Sequence, residues 1–583
     1  RKVSLIGLLD PLQSNTCRAR GWRGVAWGSG GAQAKMKRVK QHQSMEAAWS
    51  YLLHLEEETA SKAPDATSGE GATDPLWVDE SSAAEVSANE QLLHLNDGAK
   101  LIIAMVGKPM RGKTFLASKI KGYCEWLGYR VKHVQASEVR QSLFGKSNAQ
   151  KGNELSDEER LEQRATAQHQ ALQEVIQWLQ KDGQVAIFDA NNATKSRRSW
   201  VSEYVEANLV DKTQISTIVS HRILWVESQC DEEEVIVRNF KELRQKDPNS
   251  HPEYAGMSKE QAVAKFIEHV KLYDKGYEPL DASEQASFMQ IRDFGKQVLV
   301  NEIHGFLESK LVSFVMNIHT DRRVIILVRH GQSEYNLQDR IGGDPSLTDA
   351  GQVFAQRLAD EIESKSATGF QSKHDSSNSE AVKGLQFEPK NDLFVWTSNL
   401  NRTIETVQHV ECRAKVPWGG LAEIDAGVCE CMTYKDFKEK LTSQYMKRQR
   451  NKATWRYPGG ESYMDVKKRL EPVIFELERQ RKPVLVCSHR AVLRCLYSYF
   501  MGISIERAPF LPLPLHTMII LTPTTSGWSE SRITLGPNVG DFGAHEPDIQ
   551  AAVANEMKAQ AKKRRLEKAA KQQEQQKSTS SSA

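Results

Sequence analysis

An arginine and a histidine stand side by side where an apolar run ends, in LVRHGQSEYN at residues 327–336. A neutral imidazole nitrogen is a competent nucleophile toward phosphorus. Attack by His330 would give a phosphohistidine, which water then opens. The attacked group carries dense negative charge, so fixed cations must surround it and stabilise its equatorial oxygens in the transition state. Arg329 is adjacent. Arg402 follows a strand-like run in TSNLNRTIET, and His489 follows another in VLVCSHRAV. A departing oxygen needs a proton, and Glu423 in LAEIDAGVCE is the obvious acid. Each residue alone reads as structural. Together, at strand-to-loop transitions, they read as a site.

A second constellation lies more than two hundred residues earlier. GKPMRGKT fits G-x-x-x-x-G-K-[ST] through Gly107, Lys108, Pro109, Met110, Arg111, Gly112, Lys113 and Thr114. The glycines let backbone N–H groups curl around phosphate oxygens. Lys113 can reach the β- and γ-phosphates, and the Thr114 hydroxyl can ligate Mg²⁺. The helix that starts there aims its positive end at the anion. A plain glycine turn is the competing reading. Asp189 ends the run VAIFD, where an aspartate can hold the metal shell, take a proton from an acceptor hydroxyl, or simply cap a helix. Arg140, Arg164 and Arg197 are candidates for gripping an anionic acceptor, because guanidinium binds phosphate bidentately.

Both constellations need strands that end at one edge. AKLIIAMVG, YRVKHVQA, QVAIFDA and ILWVES read as buried strands, separated by helical patterns such as the amphipathic run before Gly183. That alternation predicts an α/β fold with a parallel sheet. The pattern restarts near MNIHTDRR with RVIILVRHG, LFVWTS and PVLVCSH as strands, and NRTIETVQHV and AVLRCLYSYFMG as helices. Four segments follow: an extension over 1–98, one α/β domain over 99–320, a second over 321–545 with an inserted loop near 363–390, and a charged disordered tail over 546–583.

Bulk properties narrow the function classes. With 583 residues, 39% hydrophobic and 26% charged, the chain reads as a globular protein of more than one domain. A formal net charge of +3 argues for neither nucleic acid nor membrane as partner. Eight cysteines make no disulfide framework and predict a reduced, cytoplasmic setting. Residues 1–44 hold nine Lys/Arg against the single acid Asp10. This reads as a disordered tail, with Met36 or Met45 as a true start, in preference to a transit peptide.

Taken in order, the P-loop, FDANNAT, RHGQSEYN, RIGGD, WTSNLNRTIET, EIDAGVCECMTY, YPGGESY and SHRAVLRC resemble the bifunctional 6-phosphofructo-2-kinase/fructose-2,6-bisphosphatase family over about residues 99–545. The resemblance implies a P-loop kinase that transfers phosphate from ATP, with Mg²⁺, to the 2-hydroxyl of fructose 6-phosphate. It also implies a phosphoglycerate-mutase-like histidine phosphatase domain that removes that phosphate from fructose 2,6-bisphosphate. On this reading Asp189 and Cys230 match kinase active-site positions, and Asn239 begins a stretch that contacts ATP. Arg140, Arg164, Arg197 and Tyr273 match fructose 6-phosphate contacts. His330 matches the phosphorylated histidine and Glu423 the proton donor. His489, Arg329 and Asn336 match residues around the transferred group, and Arg402 matches a phosphate-binding arginine. Gly342, Tyr434, Arg448, Lys452, Tyr463 and Arg494 match bisphosphate contacts. The family often dimerises.

Departures from the family pattern fall mainly in the kinase half. Asn191 replaces a substrate-binding threonine, Arg244 stands for a lysine among the nucleotide contacts, and His269 for an arginine. They bear on fructose 6-phosphate affinity and leave the ATP cradle untouched. Arg490 replaces the usual glutamine after His489 and adds charge beside the second site. Three other readings compete: a phosphatase with a weakened kinase, a nucleotide-sensing scaffold, and a phosphoglycerate mutase, which leaves the P-loop unexplained.

Overall fold

The computed structural model describes residues 100–151, 156–209, 221–246, 257–370, 386–524 and 527–536. The extension over 1–98, the stretch 371–385 of the expected insertion and the tail over 546–583 lie outside the described residues.

Two six-stranded sheets organise the rest. The first comprises β1 (Lys100–Val106), β2 (Val131–Gln135), β3 (Val185–Asp189), β4 (His221–Gln229), β5 (Phe288–Arg292) and β6 (Gln297–Asn301), in the order β2-β3-β1-β4-β5-β6. The pairings are parallel except β5 with β6. β1 is buried from Leu101 to Val106, as a central strand covered on both faces must be. The helices are α1 (Lys113–Leu127), α2 (Ala136–Lys151), α3 (Asp157–Gln180), α4 (Lys195–Asn208), α5 (Glu233–Lys246), α6 (Lys259–Lys275) and α7 (Phe306–Val315). Capping boxes start α3 at Ser156 with Glu159 and α6 at Ser258 with Gln261.

The second sheet comprises β7 (Ile325–Arg329), β8 (Phe394–Thr397), β9 (Ala414–Pro417), β10 (Val484–Ser488), β11 (Thr517–Thr524) and β12 (Gly527–Thr534), in the order β12-β11-β7-β10-β8-β9. β7, β10, β8 and β9 run parallel, and β11 and β12 add an antiparallel edge. Its helices are α8 (Asp349–Thr368), α9 (Asn401–Thr406), α10 (Tyr434–Lys440), α11 (Thr442–Arg450), α12 (Tyr463–Arg479) and α13 (Arg490–Met501).

Two details differ from the sequence reading. Residues 363–368, expected as the start of an inserted loop, complete α8, because Ile362 and Ser366 still face the core there. The helix expected over 401–410 stops at Thr406, where the Val407 amide bonds back to Ile404 three residues away and tightens the turn.

Candidate active sites

The first site hangs from the end of β1. Gly107 takes φ 140°, and a Cβ there would stand 2.6 Å from the Ser228 carbonyl, so only glycine fits. Gly112 is left-handed at φ 86° and turns the chain into α1. The loop is held from three places: just past β3, on β4 and on α5. The Gly107 amide donates to the Asn191 carbonyl at 3.0 Å, the Ser228 hydroxyl to the Arg111 carbonyl at 2.5 Å, and Asn239 Nδ2 to the Met110 carbonyl at 3.0 Å. Lys113 Nζ donates to the Lys108 carbonyl at 2.7 Å. Burial pushes its ammonium down to about 8, against the pull of Asp189. The Thr114 hydroxyl donates to Asp189 Oδ2 at 2.7 Å. Cys230 is buried just past β4, and burial pushes its thiol up.

Arg197 lies in the first turn of α4, its guanidinium 4.1 Å over the Trp200 ring. Its Nε and Nη2 are buried with no hydrogen-bond partner among the described residues. Arg140 follows β2 on α2, and Arg164 sits near the start of α3. Arg244 directs its guanidinium to the backbone carbonyls of Met257, at 2.7 Å, and Ser258. Its contacts therefore join α5 to the start of α6. The side chains of His269 and Tyr273 are outside the described residues.

In the second sheet, register does the assembling. Arg329 pairs with Ser488 across β7 and β10, so the next residues, His330 and His489, leave the two strands together. Their ring centroids are 5.2 Å apart. His330 Nδ1 lies 2.8 Å from the Gly331 carbonyl. A carbonyl only accepts, so Nδ1 carries the hydrogen and Nε2 keeps its lone pair. Burial, then the Arg402 and Arg329 charges, hold this imidazole well below its usual range. His489 is depressed likewise, by burial first and then by Arg402 and His330. Its Nε2 meets the Ser398 hydroxyl at 2.7 Å, and its Nδ1 is buried without a partner among the described residues. Arg402 Nη1 donates to the Gly343 carbonyl at 2.7 Å.

One cleft collects Arg329, His330, Asn336, Gly342, Arg402, Glu423, Tyr434, Arg448, Lys452, Tyr463, Arg490 and Arg494. His489 lies fully buried behind it. Arg448 spans Tyr434 and Tyr457, 5.8 Å from each ring centre. Arg494 Nε donates to the Leu511 carbonyl at 2.7 Å and Nη1 to the Tyr463 hydroxyl at 3.3 Å. Sequence reasoning passed over Ser398, Thr406 and Glu430. Thr406 Oγ1 accepts from the Gly331 amide at 2.9 Å. Glu430 accepts from Gly343 at 2.6 Å and Ala426 at 2.9 Å, and burial pushes its carboxyl up. Short polar residues beside a motif arginine were the one signal for the first two.

Known proteins agree with this pairing of sites. The 6-phosphofructo-2-kinase family pattern matches residues 89–322, and the histidine phosphatase superfamily (branch 1) matches 325–372 and 380–535. A 6-phosphofructo-2-kinase/fructose-2,6-bisphosphatase of Gallus gallus is 35% identical over 463 residues, covering 79% of this chain and 90% of the relative. The chain belongs to the 6-phosphofructo-2-kinase/fructose-2,6-bisphosphatase family. A Rattus norvegicus member named 6-phosphofructo-2-kinase/fructose-2,6-bisphosphatase 3 is 35% identical over 454 residues, covering 77% of this chain and 74% of its own. The chain spans 56% of the length of an Arabidopsis thaliana member that is 36% identical to it over 458 residues. No helix among the described residues is long and apolar enough to cross a membrane.

Proposed function

We propose that this chain makes fructose 2,6-bisphosphate from ATP and fructose 6-phosphate in its front half, 99–320, and hydrolyses it in its second half, 321–545. In hydrolysis the lone pair on His330 Nε2 attacks the 2-phosphoryl phosphorus. The P–O bond to the sugar breaks, its electrons stay on the sugar oxygen, and Glu423 supplies the proton. Water then attacks the phosphohistidine, giving its proton to Glu423, and the imidazole leaves. Arg329 and Arg402 offset the charge on the phosphoryl oxygens throughout. Tyr434, Arg448, Lys452, Tyr463 and Arg494 hold the sugar and its 6-phosphate. The observation that carries this reading is a cation-lined cleft in which His330 gives its Nδ1 hydrogen to the Gly331 carbonyl and keeps the lone pair on Nε2, beside a second buried histidine.

In synthesis the 107–114 loop cradles the ATP phosphates and Lys113 offsets the charge of the transferred group. Asp189 takes the proton of the 2-hydroxyl as that oxygen attacks. Thr114 fits a Mg²⁺ ligand, because its hydroxyl hydrogen is committed to Asp189 and its lone pairs stay available. The ion, when bound, neutralises phosphate charge. Arg140, Arg164 and Arg197 receive fructose 6-phosphate, and Asn191, His269 and Tyr273 are assigned to the same substrate by the resemblance. Cys230 belongs with Asp189 to the kinase active site, and Asn239 and Arg244 to the nucleotide side. A cytoplasmic location goes with this reading, and a homodimer is compatible with it.

Two variants test it. His330→Ala should abolish acid-labile transfer of labelled phosphate to the protein, and a labelled intermediate that persists in the variant refutes the assignment. Lys113→Met should remove synthesis while hydrolysis stays within about twofold; joint loss means the two sites are not independent.

A further inference from the structure

β2 puts His133 on the face of the first sheet that carries Asp189. Its Cα pairs with Ile187 in a parallel ladder, so Asp189, two residues on, lies diagonal to it on the same side. His133 Nε2 stands 3.3 Å from Asp189 Oδ2. Both side chains are nearly enclosed, 7% and 5% exposed. The Thr114 hydroxyl reaches that same Oδ2 at 2.7 Å. An ionised carboxylate oxygen only accepts, so Nε2 carries the hydrogen. Two donors, one from β2 and one from α1, therefore close on a single oxygen. Among the described residues, no protein donor reaches Oδ1.

This arrangement fixes the rotation of the carboxylate. With Thr114 alone, the group could pivot about one hydrogen bond. With His133 as well, Oδ2 is locked between two elements, and Oδ1 keeps all its lone pairs. A general base must present an aligned lone pair within hydrogen-bond reach of the proton it takes, and small misplacements cost large factors in rate.

We infer that His133 is a positioning residue for phosphoryl transfer: it holds Asp189 Oδ2 against Thr114 so that Oδ1 receives the proton of the sugar 2-hydroxyl. The proton passes from the acceptor oxygen to Oδ1. The freed electron pair forms the new O–P bond, and the bridging oxygen leaves with ADP. His133 itself touches neither substrate. The inference rests on the kinase reading above and deepens it.

The test compares His133→Leu with His133→Gln in the full chain. Leucine removes the donor; glutamine keeps an N–H that can reach Oδ2. The leucine variant should lose about ten- to a hundredfold in kcat for fructose 2,6-bisphosphate synthesis, the scale of one hydrogen bond to a charged group. KM for ATP and for fructose 6-phosphate should stay within about twofold, and so should hydrolysis of the bisphosphate. Glutamine should restore kcat to within about threefold of the starting protein. Any of three results overturns the inference: kcat within twofold of normal in the leucine variant, a loss that glutamine does not relieve, or a loss matched by the phosphatase. If the unaltered chain makes no bisphosphate at all, the kinase reading itself fails, which is a separate and recognisable outcome.

Discussion

On the proposed reading, a carbonyl oxygen decides which nitrogen of His330 reacts. The Gly331 carbonyl takes the Nδ1 hydrogen, so Nε2 keeps the lone pair that the proposed attack needs. The surrounding guanidinia have a double use. They can hold a phosphoryl group, and, after burial, they are what holds the imidazole well below its usual range. The consequence for pH follows from the sign. In the unfolded chain this histidine protonates near its ordinary value, about 6.5. In the folded protein it stays neutral well below that. Unfolding therefore takes up a proton, and the fold loses stability as pH drops below about 6.5. Nitrogen NMR of ¹⁵N-histidine-labelled protein, with the resonance assigned through His330→Ala, should show this imidazole still neutral at pH 6. A midpoint at or above 6.5 would remove the electrostatic argument for nucleophilic attack.

Strand ends bring these residues together, and here the sequence was partly legible. The strands reading IILVR and VLVCS are short and apolar, and each is followed directly by a histidine, so their existence and the chemistry proposed for them could be read directly. Their adjacency could not: β10 inserts between β7 and β8 only through a long excursion of the chain, and no local pattern encodes that order. β5 and β6, FMQIR and QVLVN, carry polar residues in place of an unbroken apolar run, and the hairpin of β11 and β12 lacks a clean alternation. His133 was hidden because a histidine in a strand reads as core until its neighbour is known. Glu430 was hidden because its partners are backbone amides, and its role is that of a brace. Gly342 takes φ 66°, and a Cβ on it would stand 1.9 Å from Glu430 Oε2. Gly342→Ala should therefore displace Glu430, free the Gly343 amide that it holds and loosen the carbonyl that anchors Arg402. Hydrolysis should fall about tenfold, or ~1.4 kcal/mol of barrier, with synthesis unchanged in the same preparation. Hydrolysis at the normal rate would show that the 342–343 loop does not position Arg402.

One apolar core runs through both sheets: Met105, Leu116 and Ile120 from the first half belong to the same cluster as Leu470, Ile474 and Leu496 from the second. The helix that begins at the P-loop, α1, is thus packed against α12, which begins at Tyr463 beside the phosphatase cleft. Polar groups are set into that contact. The Tyr123 ring stacks on Phe314 at 4.2 Å, and its hydroxyl donates to Glu471 at 2.5 Å. Glu478, 2% exposed, accepts from Lys119 at 2.9 Å and from the Tyr499 hydroxyl at 2.9 Å, with Arg323 at 3.7 Å. Burial pushes the Glu478 carboxyl up, but Lys119 and Arg323 outweigh it, so it sits below its ordinary value. Its contribution to stability is therefore complete above the unfolded carboxyl value, about 4.3, and disappears as pH falls through the lowered folded one. Removing it leaves a lysine, an arginine and a tyrosine hydroxyl facing an apolar seam. Breaking a buried pair in this way costs about 3–5 kcal/mol. Glu478→Ala should lower the melting temperature by several degrees at pH 7. Because the damage lies in the shared core and outside either site, synthesis and hydrolysis should then be lost together on heating, while both keep near-normal rates at 25 °C. Calorimetry paired with residual-activity curves for the two reactions measures this. A variant that melts within about a degree of the parent, or that loses one activity tens of degrees before the other, would mean that the two halves are stabilised separately.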